Sequence, residues 1–245
     1  MSHPQLRKFA LGARANGSLK ITAKWSVIYA HGCTIKMIII ILGGIGSGKT
    51  LSTVREIITR KLPCFVNFNL DNMPGNIPVH RLKFEDIVQE YIHPDFPKKP
   101  RLKVNWDFWD AARTKYTDFN IFLDEISSVI HSRRSMTNQS IQMSNWVAQI
   151  RKICNDSESS NLFIISQTLS KIDRDFRDLA QVIIECFSMK HAGKVWIDQY
   201  LYDGIDNYIQ RKTSYPHHVR FQGNPYFKFY HTSRLVKFSD AERFI

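Results

Sequence analysis

Met37 to Thr50 reads MIIIILGGIGSGKT, and the fold turns on this stretch. An unbroken apolar run, Met37 to Leu42, passes straight into Gly43-Gly44-Ile45-Gly46-Ser47-Gly48-Lys49-Thr50. The second half matches the phosphate-binding loop pattern G-x-x-x-x-G-K-[ST], with Gly43 first and Lys49-Thr50 closing it. Glycines let a chain wrap an anion with its own N–H groups, in conformations that side chains forbid. Lys49 is placed to put a point charge on the β- and γ-phosphates, and the Thr50 hydroxyl to ligate Mg²⁺. Leu51 lies in the first turn of the following helix, expected from about Lys49 to Leu62, whose positive dipole end faces the same anion. The flanks agree: Ile38 to Leu42 suits a strand buried on both faces, and Leu51, Val54, Ile57 and Ile58 fall at helical spacing.

The surroundings narrow the class. The chain has 245 residues and 43% apolar content, ordinary values for one globular domain with extensions. No apolar run approaches the ~20 residues of a membrane-spanning helix. Cys33, Cys64, Cys154 and Cys186 are far apart and form no C-x-x-C pair, so reduced core cysteines are expected rather than zinc or disulfides. His217-His218 has no metal spacing and reads as a strand end. Net charge is +12, but residues 1 to 36 hold six basic residues and no acid. The remainder is only mildly basic, which is weak support for nucleic acid. Residues 1–36 lack a sustained period and are expected to form a basic, flexible extension, with an ATPase domain over 37–245. A DNA-contacting arm and a targeting peptide are the alternatives for the extension.

Downstream, Cys64 to Asn69 reads as a strand, Asp71 to Pro78 as a loop and Phe84 to Ile92 as a short helix. Asn105 is an N-cap for a helix to about Tyr116, in which Trp106 and Trp109 share a face and pack on the sheet, or stack on a base. Phe119 to Glu125 is an apolar strand that ends in Asp-Glu. After the loop motif, this acid pair is the second element of a phosphate-transfer site. Asp124 is expected to hold Mg²⁺, and Glu125 to take a proton from, or orient, the attacking water. Alone, an Asp-Glu pair marks a helix N-terminus. A helix from about Ser140 to Ile153 precedes a strand, Leu162 to Ser166, and Gln167 sits just past its tip. On a parallel sheet that tip lies beside Asp124 and Glu125, so Gln167 can sense the γ-phosphate or cap its own loop. A fifth strand, Val182 to Phe187, is followed by aromatic runs at 195–202, 208–212, 218–221 and 226–230, expected as antiparallel edge strands.

An acid pair on one strand, a further strand, and a polar residue at its tip resembles the layout of the additional-strand, catalytic-glutamate P-loop ATPases. Within them the chain is similar to the FtsK/HerA-like branch, viral genome-packaging ATPases and Zot-like assembly ATPases of filamentous phages. GGIGSGKT, FNIFLDE, SSVIHSRR, QIRK, LFIISQT and IDRDFRDLAQVIIE carry the resemblance, with YFKFYHTS as its tail. It implies a three-layer αβα fold with a mostly parallel sheet and antiparallel C-terminal edge strands. It also implies ATP hydrolysis with Mg²⁺, a pentameric or hexameric ring, DNA (double-stranded) as substrate, and a capsid or portal partner in the host cytoplasm or virion. Such rings take an arginine finger from a neighbouring subunit. Arg151 is the first choice, and Arg133, Arg134, Arg174 and Arg177 compete. Zot-like proteins usually carry a membrane-spanning helix after the ATPase domain; its absence here favours a packaging motor over membrane-embedded extrusion, unless a separate chain is the anchor. A kinase fits the glycine loop but not Glu125 and Gln167.

Overall fold

The computed structural model describes residues 38–95, 98, 100–126, 138–154, 159–212 and 218–230. Expectations for residues 1–36, Arg133 and Arg134 lie outside them. The first strand, β1 (Ile38–Leu42), is buried along its whole length, as a β-branched run at the centre of a sheet should be. Helix α1 (Lys49–Arg60) follows the loop and ends at Lys61, whose left-handed backbone lets its N–H reach the Ile57 carbonyl at 3.1 Å. Then come β2 (Cys64–Val66), β3 (Val79–Arg81), α2 (Phe84–Ile87), β4 (Val88–Ile92) and β5 (Pro100–Val104). Helix α3 (Trp106–Lys115) precedes β6 (Asn120–Asp124), α4 (Asn138–Ala148), α5 (Ile150–Ile153) and β7 (Leu162–Ser166). The chain continues through α6 (Arg174–Asp178), β8 (Val182–His191), β9 (Lys194–Asp203), α7 (Gly204–Ile209) and β10 (His218–Gln222).

The main sheet runs β10-β9-β8-β1-β7-β6-β2-β3. Pairs from β8 to β3 are parallel, and β9 and β10 add antiparallel strands at one edge. β7 therefore lies between the loop-bearing strand and the Asp-Glu strand. Its register matches Leu42 with Ser166 and Asp124 with Ile165, so the loop, the acids and Gln167 leave the sheet along one edge. One face of the sheet packs on α3 to α6 through a core that includes Ile40, Leu123, Ile164, Trp109, Trp146 and Phe176. The other face carries α1, with Leu51 against Ile197 and Phe221 and the Arg60 guanidinium over Phe163. This is the expected three-layer αβα P-loop NTPase fold.

Several elements differ from expectation. Phe84 to Ile92 is not one helix: after a single turn the chain becomes β4, which pairs antiparallel with β5 in a separate two-stranded sheet. Phe84, Ile87, Val88 and Ile92 mimic helical spacing, and only pairing with β5 overrides it. The strand at Cys64 ends at Val66, and β3 was not expected. The helix over 140–153 is broken at Gln149 into α4 and α5. Residues 208–212 are not a strand, because α7 begins at Gly204, with φ +74°, and packs Ile205 and Tyr208 inward at helical spacing. Residues 226–230 are rich in aromatics, which favour strands, but Asn224–Phe229 is a 3-10 helix with Pro225 in its first turn. Trp109 is fully buried as expected, whereas Trp106, at the first helical position, is exposed. Cys64, Cys154 and Cys186 are buried and in no disulfide, and burial pushes the Cys64 thiol up to about 12.

Candidate functional site

The loop closes on itself as its sequence requires. Gly43, Gly46 and Gly48 have φ of +152°, +75° and +89°. A Cβ on Gly43 would meet the Cys186 carbonyl at 2.7 Å, and one on Gly48 the Ile197 Cδ1 at 2.3 Å, so both positions need glycine for space as well as for φ. Ser47 N–H donates to the Gly44 carbonyl at 3.2 Å, and Ser188 Oγ on β8 donates to the Gly46 carbonyl at 2.6 Å. Ile45, at the loop tip, is exposed. Lys49 Nζ donates to the carbonyls of Gly43 and Gly44 at 2.7 and 2.9 Å, bridging the mouth of the loop. Burial lowers its proton affinity, against the nearby charges of Asp124 and Glu125.

Asp124 closes β6 at the adjoining tip and is buried. Its backbone is clamped by an amide that the sequence did not single out: Asp124 N–H donates to Asn67 Oδ1 at 2.7 Å, and Asn67 Nδ2 donates to the Asp124 carbonyl at 2.8 Å. Asn67 is itself fully buried. Burial, reinforced by the charge of Glu125, pushes the Asp124 carboxyl up to about 7, with Lys49 opposing. A bound cation would reverse that balance.

Glu125 is exposed and takes a left-handed backbone, φ +49°, which turns it out of the strand direction. Gln167 Nε2 donates to Glu125 Oε1 at 3.2 Å, and Lys171 Nζ donates to Gln167 Oε1 at 2.7 Å. The lysine fixes which end of the amide faces the glutamate. Lys171 was also missed, since a lysine five residues past a strand carries no signal until the chain turns back there.

A hard divalent cation at a phosphate loop takes one or two protein oxygens and fills its shell with water and phosphate. Thr50 and Asp124 are such a donor pair, both oxygen, along one edge of the sheet. Ser47 Oγ is buried without a hydrogen-bond partner among the described residues, a donor that a phosphate oxygen would satisfy. The residues fit Mg²⁺ with a nucleotide phosphate. Among the described residues no cluster of His, Cys, Asp and Glu offers a self-sufficient metal cage.

One more side chain reaches this edge. The Tyr230 side chain lies in the field of Asp124 and Glu125. Tyr230 was expected in an edge strand. Arg151 is exposed on α5, in the segment leading to the start of β7, the opposite end of that strand from Gln167. Arg174 is paired with Asp178 at 3.1 Å.

Fold and site together define a P-loop NTPase of the additional-strand type. A family model described as zonular occludens toxin (Zot) matches residues 37–200, about two thirds of the sequence, and the chain belongs to that family. Among solved structures it is similar to the N-terminal domain of zonular occludens toxin from Neisseria meningitidis, at 15% identity and TM-score 0.49, over 80% of this chain and 100% of that one. It is also similar to B204, titled the genome packaging NTPase of Sulfolobus turreted icosahedral virus 2 in complex with ATP-gammaS, at 12% identity and TM-score 0.38, over 69% and 92% of the two chains. A second B204 structure, titled the DNA-packaging ATPase from Sulfolobus Turreted Icosahedral Virus, aligns at 14% identity and TM-score 0.40, over 65% and 79%. Comparison with curated proteins returned no match. Among the described residues no helix is long and apolar enough to cross a membrane.

Proposed function

We propose that the chain hydrolyses ATP at this loop and, as a ring of five or six copies, uses the reaction to translocate double-stranded DNA, as a viral genome-packaging motor does. The observation that carries hydrolysis is the run of hydrogen bonds from Lys171 through Gln167 to Glu125, beside Asp124 and Lys49. The loop amides and Lys49 bind and orient the triphosphate. Glu125, exposed and held by Gln167, accepts the proton of the attacking water, and the amide keeps the carboxylate from swinging away. Thr50 and Asp124 would hold Mg²⁺, which when bound supplies charge neutralisation between the β- and γ-phosphates. Arg151 of a neighbouring copy is the candidate for stabilising the transferred phosphoryl group.

DNA and capsid or portal partners follow from the resemblance of the motifs rather than from the site, and so does a place in the host cytoplasm or virion. Residues 1–36 are in this reading a basic arm outside the ATPase domain of 37–245. Membership of the Zot family favours a second reading, an assembly ATPase whose substrate is protein. The deciding experiment measures ATP turnover with no nucleic acid, with double-stranded DNA and with single-stranded DNA, beside a Glu125→Gln control. Stimulation by duplex, lost with salt at a slope of about −0.9 per phosphate neutralised, supports the motor. Turnover indifferent to DNA supports the assembly enzyme, and turnover equal in the control removes the site.

A further inference from the structure

The β4–β5 hairpin stands outside the main sheet, and two strands alone are marginal in water. Its base is held by the core. Val88 and Val104 are directly opposite and both buried, and the Asn105 N–H donates to the Ile87 carbonyl at 2.9 Å. Asn105 Nδ2 also donates to the Glu85 carbonyl at 2.8 Å, while its Oδ1 caps α3 by accepting from the Phe108 N–H at 3.2 Å. The hairpin is thereby fixed between α2 and the helix that leads to β6.

Toward its tip the hairpin turns polar. Gln89 is registered with Lys103 and Tyr91 with Arg101, which places these four side chains on one face. The Lys103 Nζ lies 5.7 Å from the centre of the Tyr91 ring. On α4, Asn138 and Gln142 are one turn apart, while Met143, Trp146 and Val147 seal that helix into the core. Between hairpin and helix lies a cleft of about 430 Å³, lined by Tyr91, Pro100, Arg101, Leu102, Asn138 and Gln142. Its size falls within the range of about 300–1,000 Å³ usual for ligand sites.

The lining decides what can sit there. It offers a permanent cation, a phenol and two carboxamides, all hydrogen-bond donors, and no acid among the described residues. Glu90 is exposed on β4 but does not line the cleft, and Lys98 and Lys103 add positive charge on the same hairpin. A protein partner would need a buried apolar or aromatic anchor at the centre, and Pro100 and Leu102 alone do not build a pocket for one. The backbone of DNA draws its contacts from arginine, lysine, tyrosine, asparagine and glutamine, the polar residues found here. We propose that this cleft holds the sugar–phosphate backbone of double-stranded DNA. Arg101 pairs with one phosphate, Lys103 neutralises a neighbouring one, and Tyr91, Asn138 and Gln142 donate to phosphate oxygens. The grip is independent of sequence, because none of these groups meets a base edge. Its two walls, β5 and α4, flank in sequence the strand that carries Asp124. The proposal rests on the reading of the chain as a DNA motor and names the surface that does the holding.

The test is equilibrium binding of the full chain to a mixed-sequence duplex, with a slowly hydrolysed ATP analogue present, over a range of salt. Arg101→Gln and Lys103→Gln should each weaken binding roughly tenfold. Each should also flatten the dependence of log affinity on log salt by about 0.9 per phosphate contact removed. Gln142→Ala removes a neutral donor, so affinity should fall while the slope stays. Lys194→Gln, an exposed cation on β9 outside the cleft, should match wild type. ATP turnover without DNA should be unchanged in all four. Cleft variants that keep wild-type affinity and slope, or an equal change in Lys194→Gln, would overturn the proposal. Parallel falls in DNA affinity and in DNA-free turnover would mark a structural role and overturn it too. Poly-glutamate binding that Arg101→Gln abolishes while duplex binding persists would give the cleft to an acidic protein instead. A wild-type chain that binds no duplex removes the motor reading and this site with it. Duplex binding that the cleft variants leave intact removes the site alone.

Discussion

Gln167 donates to Glu125 at 3.2 Å across the tips of two neighbouring parallel strands, with Lys171 holding the other end of the amide at 2.7 Å. The pairing gives Glu125 a defined direction although it is exposed. Glu125→Gln keeps the shape and removes the base. Nucleotide affinity should be retained while phosphate release falls by about 10²- to 10⁴-fold, the range of one general base. Binding and single-turnover phosphate release on the same preparation check this. Turnover near wild type would take Glu125 out of the chemistry.

Lys171→Ala separates orientation from chemistry. The base survives, but the amide loses the partner that sets which atom it presents to Glu125. One hydrogen bond to a charged group is worth about 1.5–3 kcal/mol when lost, and only part of it reaches the transition state, so kcat should fall by roughly tenfold. The Michaelis constant should not move. A loss confined to KM would place Lys171 on the nucleotide rather than on Gln167.

Lys49→Ala acts on binding. Its ammonium spans the loop mouth between the Gly43 and Gly44 carbonyls, where a phosphate oxygen would replace them as partner. Losing a charge-assisted contact of about 1.5–3 kcal/mol weakens nucleotide binding by roughly 10- to 150-fold. Titration calorimetry with ADP and with an ATP analogue measures it. Equal affinity in the variant would mean the lysine does not face the phosphates.

How much of this was legible depends on how local each determinant is. The loop, β1 and α1 follow from one contiguous stretch, because glycine spacing and a β-branched run are rules about neighbours. That Gln167 lies beside the acid pair followed from a strand tip on a parallel sheet, and the additional strand between β1 and β6 was implied by the resemblance. Asn67 carried no signal, since it acts on a residue far off in sequence, Asp124. The residues of β4 were read as part of a helix over Phe84 to Ile92, where four apolar residues match the helical period and the pairing with β5 leaves no local mark. Tyr226 to Tyr230 failed similarly, with four aromatics in five residues read as a strand although Pro225 opens a 3-10 turn.

Asp198 offers a test by pH. It is buried on β9, and Arg220 holds it with two hydrogen bonds of 2.6 and 2.9 Å, while His218 Nε2 lies 2.6 Å away. The arginine, and the histidine after burial's opposing effect, hold its carboxyl below the usual carboxylate range. A depressed carboxylate contributes stability fully above its unfolded pKa of about 3.9, and the contribution is lost as pH falls through the lower folded value. Asp198→Asn should therefore be less stable than wild type at pH 7, and the gap should narrow below pH of about 4. Denaturant midpoints at several pH values follow it. A gap constant with pH would mean that packing, not charge, makes the difference.

Arg151, exposed on α5, is the arginine proposed to act from another copy. Arg151→Ala should leave nucleotide affinity intact and lower turnover of the assembled ring by about 10³-fold or more, as loss of a trans arginine does. Mixing supplies the discriminating measurement. In a mixed ring, a Glu125→Gln subunit has a dead site but an intact arginine, and an Arg151→Ala subunit has an intact site and lacks only the arginine. If the arginine works in trans, blending the two inactive proteins restores a fraction of wild-type turnover at each interface where the glutamine subunit presents Arg151 to its neighbour. If the arginine works within its own chain, every subunit in the blend lacks one necessary group and the mixture stays inactive. Wild-type turnover by Arg151→Ala alone would pass the role to Arg174, Arg177 or the arginines at 133 and 134.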